Sequence, residues 1–253
     1  MVRRASEQRE NEAGHLLRNP DPMTISVILP TLNEETTLAG TLAQASTLSF
    51  DEVVLADGGS TDRTIPMAEA FCARVPSARF ITAPRGRARQ MNEGVNASRG
   101  EILLFLHADT RLPSTARQDI ETAMQDGQVV GGRFDVEFDR RTAWSAIIST
   151  MMNWRSRWSG IATGDQAIFV RRRIFDQLGG YADIPLMEDI DFSRRLKRMG
   201  QTAPLRSRVI TSYRRWETRG PIRTILLMWT LRFLFWTGVS PHRLAHFYAT
   251  VRE

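Results

Sequence analysis

Ile25-Ser26-Val27-Ile28-Leu29-Pro30-Thr31-Leu32-Asn33-Glu34 joins a compact apolar run to a polar cluster. An apolar run this short, closed by a proline, has the character of a buried parallel strand: covered on both faces, it shows no alternation of polar and apolar residues. The pattern then repeats. Residues 36–47 carry Leu38, Leu42 and Ala45 at helical spacing, and residues 52–56 read as a second strand. A turn at 57–60 leads into a helix over 61–74, a third strand over 79–82, a helix over 87–97 and a strongly apolar fourth strand over 101–106. Strand and helix in strict alternation predict an α/β fold, a Rossmann-like and mostly parallel sheet flanked by helices with right-handed crossovers.

Beyond Pro113 the pattern loosens. Helices are expected over 114–125 and 143–158, strands over 129–138 and 167–171, and helices over 173–178 and 189–198. The last residues read as a C-terminal helical appendage, 221–237 and 241–252, split at Gly238. The organisation predicted is a polar, disordered lead-in over 1–22, one domain over 23–220, and the appendage over 221–253 belonging to that same domain. With 253 residues and 42% apolar composition the chain needs no disulfide, and its single cysteine, Cys72, has no partner. That fits a reducing, cytoplasmic setting. The net charge of +6 suits phosphate-bearing ligands or anionic lipid. No recognised nucleic-acid-binding module accompanies it, so nucleic acid is not an expected partner.

In an open parallel sheet, ligands bind beyond the carboxyl ends of the strands. The chemistry-bearing residues fall there. Pro30, Thr31, Asn33 and Glu34 follow the first strand, and Asp57-Gly58-Gly59-Ser60-Thr61-Asp62 follows the second. Asp57 reads as an acceptor for a base or ribose group, as a turn former, or as both, with Gly58 letting backbone approach closely. After the third strand come Arg85, Arg87 and Arg89 at a helix start, a combination suited to phosphate. After the fourth come His107 and Asp109, and a carboxylate there is placed to hold Mg²⁺ or Mn²⁺ against a diphosphate. Leu186-Met187-Glu188-Asp189-Ile190-Asp191 offers Glu188 or Asp189 as a general base. Phosphate, metal and a distant base together suit transfer from a diphosphate donor.

In order and spacing these clusters resemble those of the family 2 glycosyltransferases, which have the GT-A fold, from about Thr24 to Gly200. Pro30–Glu34 is similar to the opening motif, Asp57–Asp62 to the nucleotide motif, Leu106–Asp109 to the Asp-x-Asp metal motif, and Glu188-Asp189 to the pair supplying the base. His107 stands where the first Asp of the metal motif is expected. With Gly164-Asp165-Gln166 and Arg214-Arg215-Trp216, the sequence also resembles a small bacterial branch, the radical-SAM/selenodomain-associated transferases. The resemblance implies an inverting, non-processive transfer of sugar from a nucleoside-diphosphate-sugar to an acceptor hydroxyl. Asp189 is then the base beside Glu188, and Asp109 the metal ligand. Pro30, Thr31, Asn33, Glu34, Asp57, Gly58, Arg85, Arg89 and His107 face the donor; Asp165, Gln166 and Trp216 face the acceptor.

Two other readings share parts of this pattern. A nucleotidyltransferase acting on a sugar phosphate would show a glycine-rich basic loop after the first strand, which Pro30–Glu34 is not. A catalytically degenerate nucleotide-sugar binder would explain His107. The C-terminal helices are apolar on too many sides for an ordinary surface helix: Leu226, Leu227, Trp229, Leu231, Phe233 and Trp236 lie in one of them. They read as a lid or homodimer contact, or as a peripheral membrane contact serving a lipid-linked acceptor at the inner face of the membrane. They are too short, and too interrupted by Arg232, to span a bilayer.

Overall fold

The computed structural model describes residues 23–250, so the expected lead-in over 1–22 lies outside the described residues. Strands β1 (Ile25–Thr31), β2 (Glu52–Asp57), β3 (Ala78–Thr82) and β4 (Ile102–Phe105) form a parallel set in the order β3-β2-β1-β4. Helices α1 (Leu38–Thr47), α2 (Thr64–Cys72) and α3 (Arg87–Asn96) connect them. Alternate residues of each strand enter two different cores. Ile25, Val27 and Leu29 pack with Leu38, Leu42 and Phe71 on one face, whereas Ile28, Val54 and Leu103 pack with Met91 and Val95 on the other. That double coverage is why these strands are uniformly apolar. Pro30 is tolerated inside β1 because its missing N–H points to the side where β4 has already ended.

The chain continues through β5 (Thr110–Arg111), α4 (Ala116–Met124), β6 (Val129–Phe138), α5 (Ala143–Ser159), a 3-10 turn (Gly164–Gln166), β7 (Phe169–Arg171), α6 (Arg172–Gln177) and α7 (Glu188–Leu196). It closes with β8 (Gln201–Thr211), α8 (Arg214–Arg219), α9 (Pro221–Trp236) and α10 (Pro241–Thr250). The sheet extends as β4-β7-β6-β8-β5, antiparallel on both sides of β7, parallel between β6 and β8, and antiparallel again at β5. Thus the sheet is parallel through its first four strands and mixed beyond. A capping box between Thr142 and Ser145 starts α5, and Pro221 opens α9.

Most elements expected from sequence form within a residue or two of their expected ends. Strands β5 and β8 and helix α8 were not expected. With Pro204, Arg206 and Arg208, β8 carries no apolar run, and most of it is partly or fully exposed. It forms because β6 offers it a ladder from Val129 to Phe138. Non-local pairing of this kind leaves no local signature.

Gly131 and Gly132 permit the close approach of β6 to its neighbours. A Cβ at Gly132 would strike the Ala203 carbonyl oxygen and the Phe169 ring, and one at Gly131 would meet the Phe169 carbonyl oxygen. Gly132→Ala is therefore expected to lower stability by about 1–3 kcal/mol, as overpacking against backbone does. A urea unfolding midpoint measures it.

Candidate active site

The carboxyl end of β1 and the segments that follow β3 and β4 open onto a cleft of about 730 Å³, closed on the far side by α8 and α10. Its edge begins with two loops that clasp each other. Asn33 takes the left-handed conformation, φ 55°, and its Oδ1 accepts from Thr61 N at 2.8 Å while its own N–H donates to Ser60 Oγ at 2.9 Å. Asparagine is among the few residues that visit this region readily. Glu34 N donates to Thr64 Oγ1, Glu35 N to Asp62 Oδ2, and Arg63 N back to Glu35 Oε2.

Asp57 sits behind this clasp and is wholly buried. Its carboxylate accepts from Gly59 N, Ser60 N, Ser60 Oγ and Thr31 Oγ1, all between 2.6 and 2.9 Å. These are the contacts expected of a turn former, and they hold the carboxylate in one place at the end of β2. Gly58 N donates to Thr31 O, and its missing Cβ leaves room for Gln90. The Gln90 Nε2 in turn donates to Thr31 O and Ala56 O, tying α3 to the ends of β1 and β2. Gln90 also lines the cleft, and the sequence reading passed over it.

Of the residues expected to face the donor, Pro30, Thr31, Glu34, Arg85 and His107 line the cleft. Asn33, Asp57 and Gly58 build its rim from behind. Arg89 is turned away: its Nε donates to Asp183 Oδ1 at 2.8 Å on the surface. Its neighbour Arg87 takes the place expected of it, reaching Glu188 Oε1 at 3.2 Å inside the cleft. Arg214, Arg215 and Arg219 come in from α8 on the opposite wall. Their proximity depends on β8; in the sequence Arg214-Arg215-Trp216 stood out only through the resemblance.

His107 Nδ1 lies 3.3 Å from Asp165 Oδ1, and its Nε2 edge lies against the Cα of Gly164. Burial alone would push the Asp165 carboxyl up. The His107 hydrogen bond and the charges of Arg215, His107 and Arg87 outweigh it and hold the carboxyl well below the usual carboxylate range. Its charge therefore adds stability that is present above pH 4 or so and fades as pH falls toward its own lower titration. Asp165 and Trp216 line the cleft, and Trp216 packs edge-on against Phe138 at 6.0 Å. Gln166, expected to meet an acceptor, is instead wholly buried and spans Thr163 and the Phe134 carbonyl. It locks the 3-10 turn and does not reach the cleft.

Glu188 and Asp189 begin α7 and point different ways. Met187, at φ 69°, turns the chain there and is buried against Leu227, Leu231 and Leu244 of the C-terminal helices. Glu188 is only 4% exposed and lines the cleft; burial and Asp189 raise its pKa, and Arg87 partly offsets this. Asp189 lies beside it, toward the Gly164 turn, with Oδ2 accepting from Gly164 N at 2.8 Å and Oδ1 from Ile190 N at 2.7 Å. The carboxylate that faces the cleft directly is thus Glu188.

Asp109 lines the cleft and accepts only a long hydrogen bond, 3.4 Å, from Thr110 Oγ1. Among the described residues no three His, Cys, Asp or Glu side chains come together as a metal cage. One free carboxylate opposite several arginines fits a Mg²⁺ or Mn²⁺ shared with a diphosphate, since such ions complete their shell with phosphate oxygens and water.

The family model described as Glycosyl transferase family 2 matches residues 26–180, from β1 through β7 and α6; Glu188, Asp189 and α8 lie beyond the match. The chain belongs to glycosyltransferase family 2. A PGL/p-HBAD biosynthesis glycosyltransferase of Mycobacterium tuberculosis is 30% identical over 185 residues, covering 67% of this chain and 68% of that protein. A probable glycosyltransferase of Bacillus subtilis, YdaM, is 25% identical over 197 residues, and this chain spans 47% of its length. Among solved structures, the mannosyltransferase PcManGT from Pyrobaculum calidifontis, in complex with GDP-Man and Mn²⁺, superposes with a TM-score of 0.61 at 21% identity, over 96% of this chain and 70% of that one. The architecture is that of the family's GT-A fold.

The site geometry separates two roles for Asp57. Asp57→Ala strands two backbone N–H groups and two hydroxyls and is expected to cost at least about 2 kcal/mol of stability. Paired melting and nucleotide-binding measurements decide the matter: lost nucleotide affinity at unchanged stability would mean that Asp57 reads the base directly.

Proposed function

We propose that the chain transfers a sugar from a nucleoside-diphosphate-sugar to an acceptor hydroxyl with inversion, in a single displacement and without processive elongation. The observation that carries this reading is the cleft itself: Arg85, Arg87, Arg214 and Arg215 line it together with Asp109, which has no ion pair among the described residues, and with the buried Glu188, beside which Asp189 stands. The GDP-Man and Mn²⁺ held by the Pyrobaculum mannosyltransferase support a donor and metal of this class. The donor nucleotide lies along Pro30, Thr31 and Glu34, on the rim that Asn33, Asp57 and Gly58 hold in place.

The acceptor oxygen attacks the anomeric carbon as the bond from that carbon to the diphosphate oxygen breaks. Asp189 takes the acceptor proton, and Glu188 stands between it and Arg87. Charge developing on the departing diphosphate meets the arginines, which are already in position and need no reorganisation. A Mg²⁺ or Mn²⁺ held by Asp109 and the donor phosphates, when bound, neutralises the diphosphate. His107, anchored by Asp165, walls the donor side, and Asp165 and Trp216 bound the acceptor side. The cleft-lining residues of α10 support treating residues 221–253 as part of one domain with 23–220.

A transfer assay on conservative variants tests the assignments. Asp189→Asn is expected to abolish transfer while donor affinity stays within a few-fold, and Glu188→Gln to lower turnover without abolishing it. The reverse outcome, with turnover lost in Glu188→Gln and kept in Asp189→Asn, would move the base to the carboxylate that faces the cleft. Asp109→Asn is expected to abolish the dependence of donor affinity on Mn²⁺ and lower turnover by about two orders of magnitude. Titration of the metal against donor binding measures the first effect, and an unchanged dependence would remove Asp109 from the metal site.

A further inference from the structure

Helix α5 exposes Trp144, Ile147, Met151, Trp154 and Trp158, which recur every three or four residues and so form one continuous stripe. Helix α9 exposes Ile222, Leu226, Trp229, Phe233 and Trp236 with the same spacing. Trp158 and Trp236 are each 80% exposed, far beyond what a scattered surface tryptophan explains. Five of the chain's six tryptophans stand on these two stripes. The helices are neighbours: Ile148 and Met152 of α5 share a core cluster with Ile225 of α9.

Charge selects among the surfaces that would cover such a face. Within α5, α9 and α10 there is no Asp or Glu; of their arginines, Arg223 and Arg243 are exposed, whereas Arg157 is paired with Asp135 of β6. Arg155 and Arg232 are partly buried and lie in the field of Asp189, so they belong to the interior. Indoles at an apolar–polar boundary, cations around them and no carboxylate suit an anionic lipid surface. A second copy of the chain would bring the same arginines against these. Residues 1–22 offer only Met1, Val2, Leu16 and Leu17 as large apolar side chains, too few to cover ten.

We propose that the α5–α9 face docks on the surface of a bilayer containing anionic lipid. Among the described residues no helix is long and apolar enough to cross a membrane, so the contact is one that lies on the bilayer. Helix α10, which follows α9, walls the cleft through Ala245 and Tyr248, and Trp216 of the cleft packs in the same cluster as Met152 of α5 and Ile225 of α9. Docking would therefore hold the acceptor side of the cleft close to the lipid, whichever sugar is transferred.

Co-sedimentation of the full chain tests this with two vesicle preparations, phosphatidylcholine alone and equal parts phosphatidylcholine and phosphatidylglycerol. Binding is expected to the second and not the first, and to weaken as salt rises. The quadruple variant Trp154→Ser, Trp158→Ser, Trp229→Ser, Trp236→Ser is expected to bind at least about tenfold less. Its melting temperature should stay near that of the parent, since these side chains are exposed. Failure of the parent to bind anionic vesicles would overturn the proposal, as would undiminished binding by the variant. So would a stable dimer in solution that the four substitutions dissolve.

Discussion

Parallel strands that end together leave their last backbone groups, and the loops beyond them, without the partners that the sheet supplies elsewhere. Here β1 and β2 end side by side at Thr31 and Asp57, and the loops resolve the problem by bonding to each other. The Asp57 carboxylate gathers four donors, Asn33 links to Ser60 and Thr61, and Gln90 reaches down from α3 to the two strand ends. Buried polar groups are costly unless satisfied, so this clasp makes one arrangement of the rim far better than its alternatives. Everything the cleft does depends on that fixed rim.

Charge balance shapes the cleft that the rim encloses. Arg85, Arg87, Arg214, Arg215 and Arg219 line it with only Glu34, Asp109, Asp165 and Glu188 opposite them. Two of these carboxylates are engaged, Asp165 with His107 and Glu188 with Arg87. Glu34 accepts from Thr37 Oγ1, which leaves Asp109 and several guanidinium groups lining the same space. A diphosphate with a divalent cation supplies what both lack. The left-handed turn at Met187 couples this chemistry to the C-terminal helices, because the residue that orients Glu188 is itself packed beneath α9 and α10.

The alternation of apolar strand and helix was legible from Ile25 to Leu106, since doubly covered strands impose their apolar character locally. The polar clusters at the strand ends were legible for the same reason: they begin where burial stops. What eluded the sequence was set by distant pairing. Strand β8 owes its existence to β6, and through β8 the arginines of α8 reach the cleft. Sequence also could not divide residues within a cluster. Arg87 and Arg89 lie two positions apart on one helix, and one turns to Glu188 while the other turns to Asp183. Gln166 beside Asp165 is consumed by its own turn.

The central claim is that this cleft holds a nucleoside-diphosphate-sugar with a divalent cation. Thermal shift of the full chain against UDP-, GDP-, dTDP- and CDP-sugars, each with and without Mn²⁺, tests it directly. A ligand present at 100 times its Kd stabilises the folded state by about 2.7 kcal/mol, so binding to one nucleotide class should raise the melting temperature clearly, and more so with metal. A melting temperature that no member of the panel moves, with or without Mn²⁺, would contradict the account.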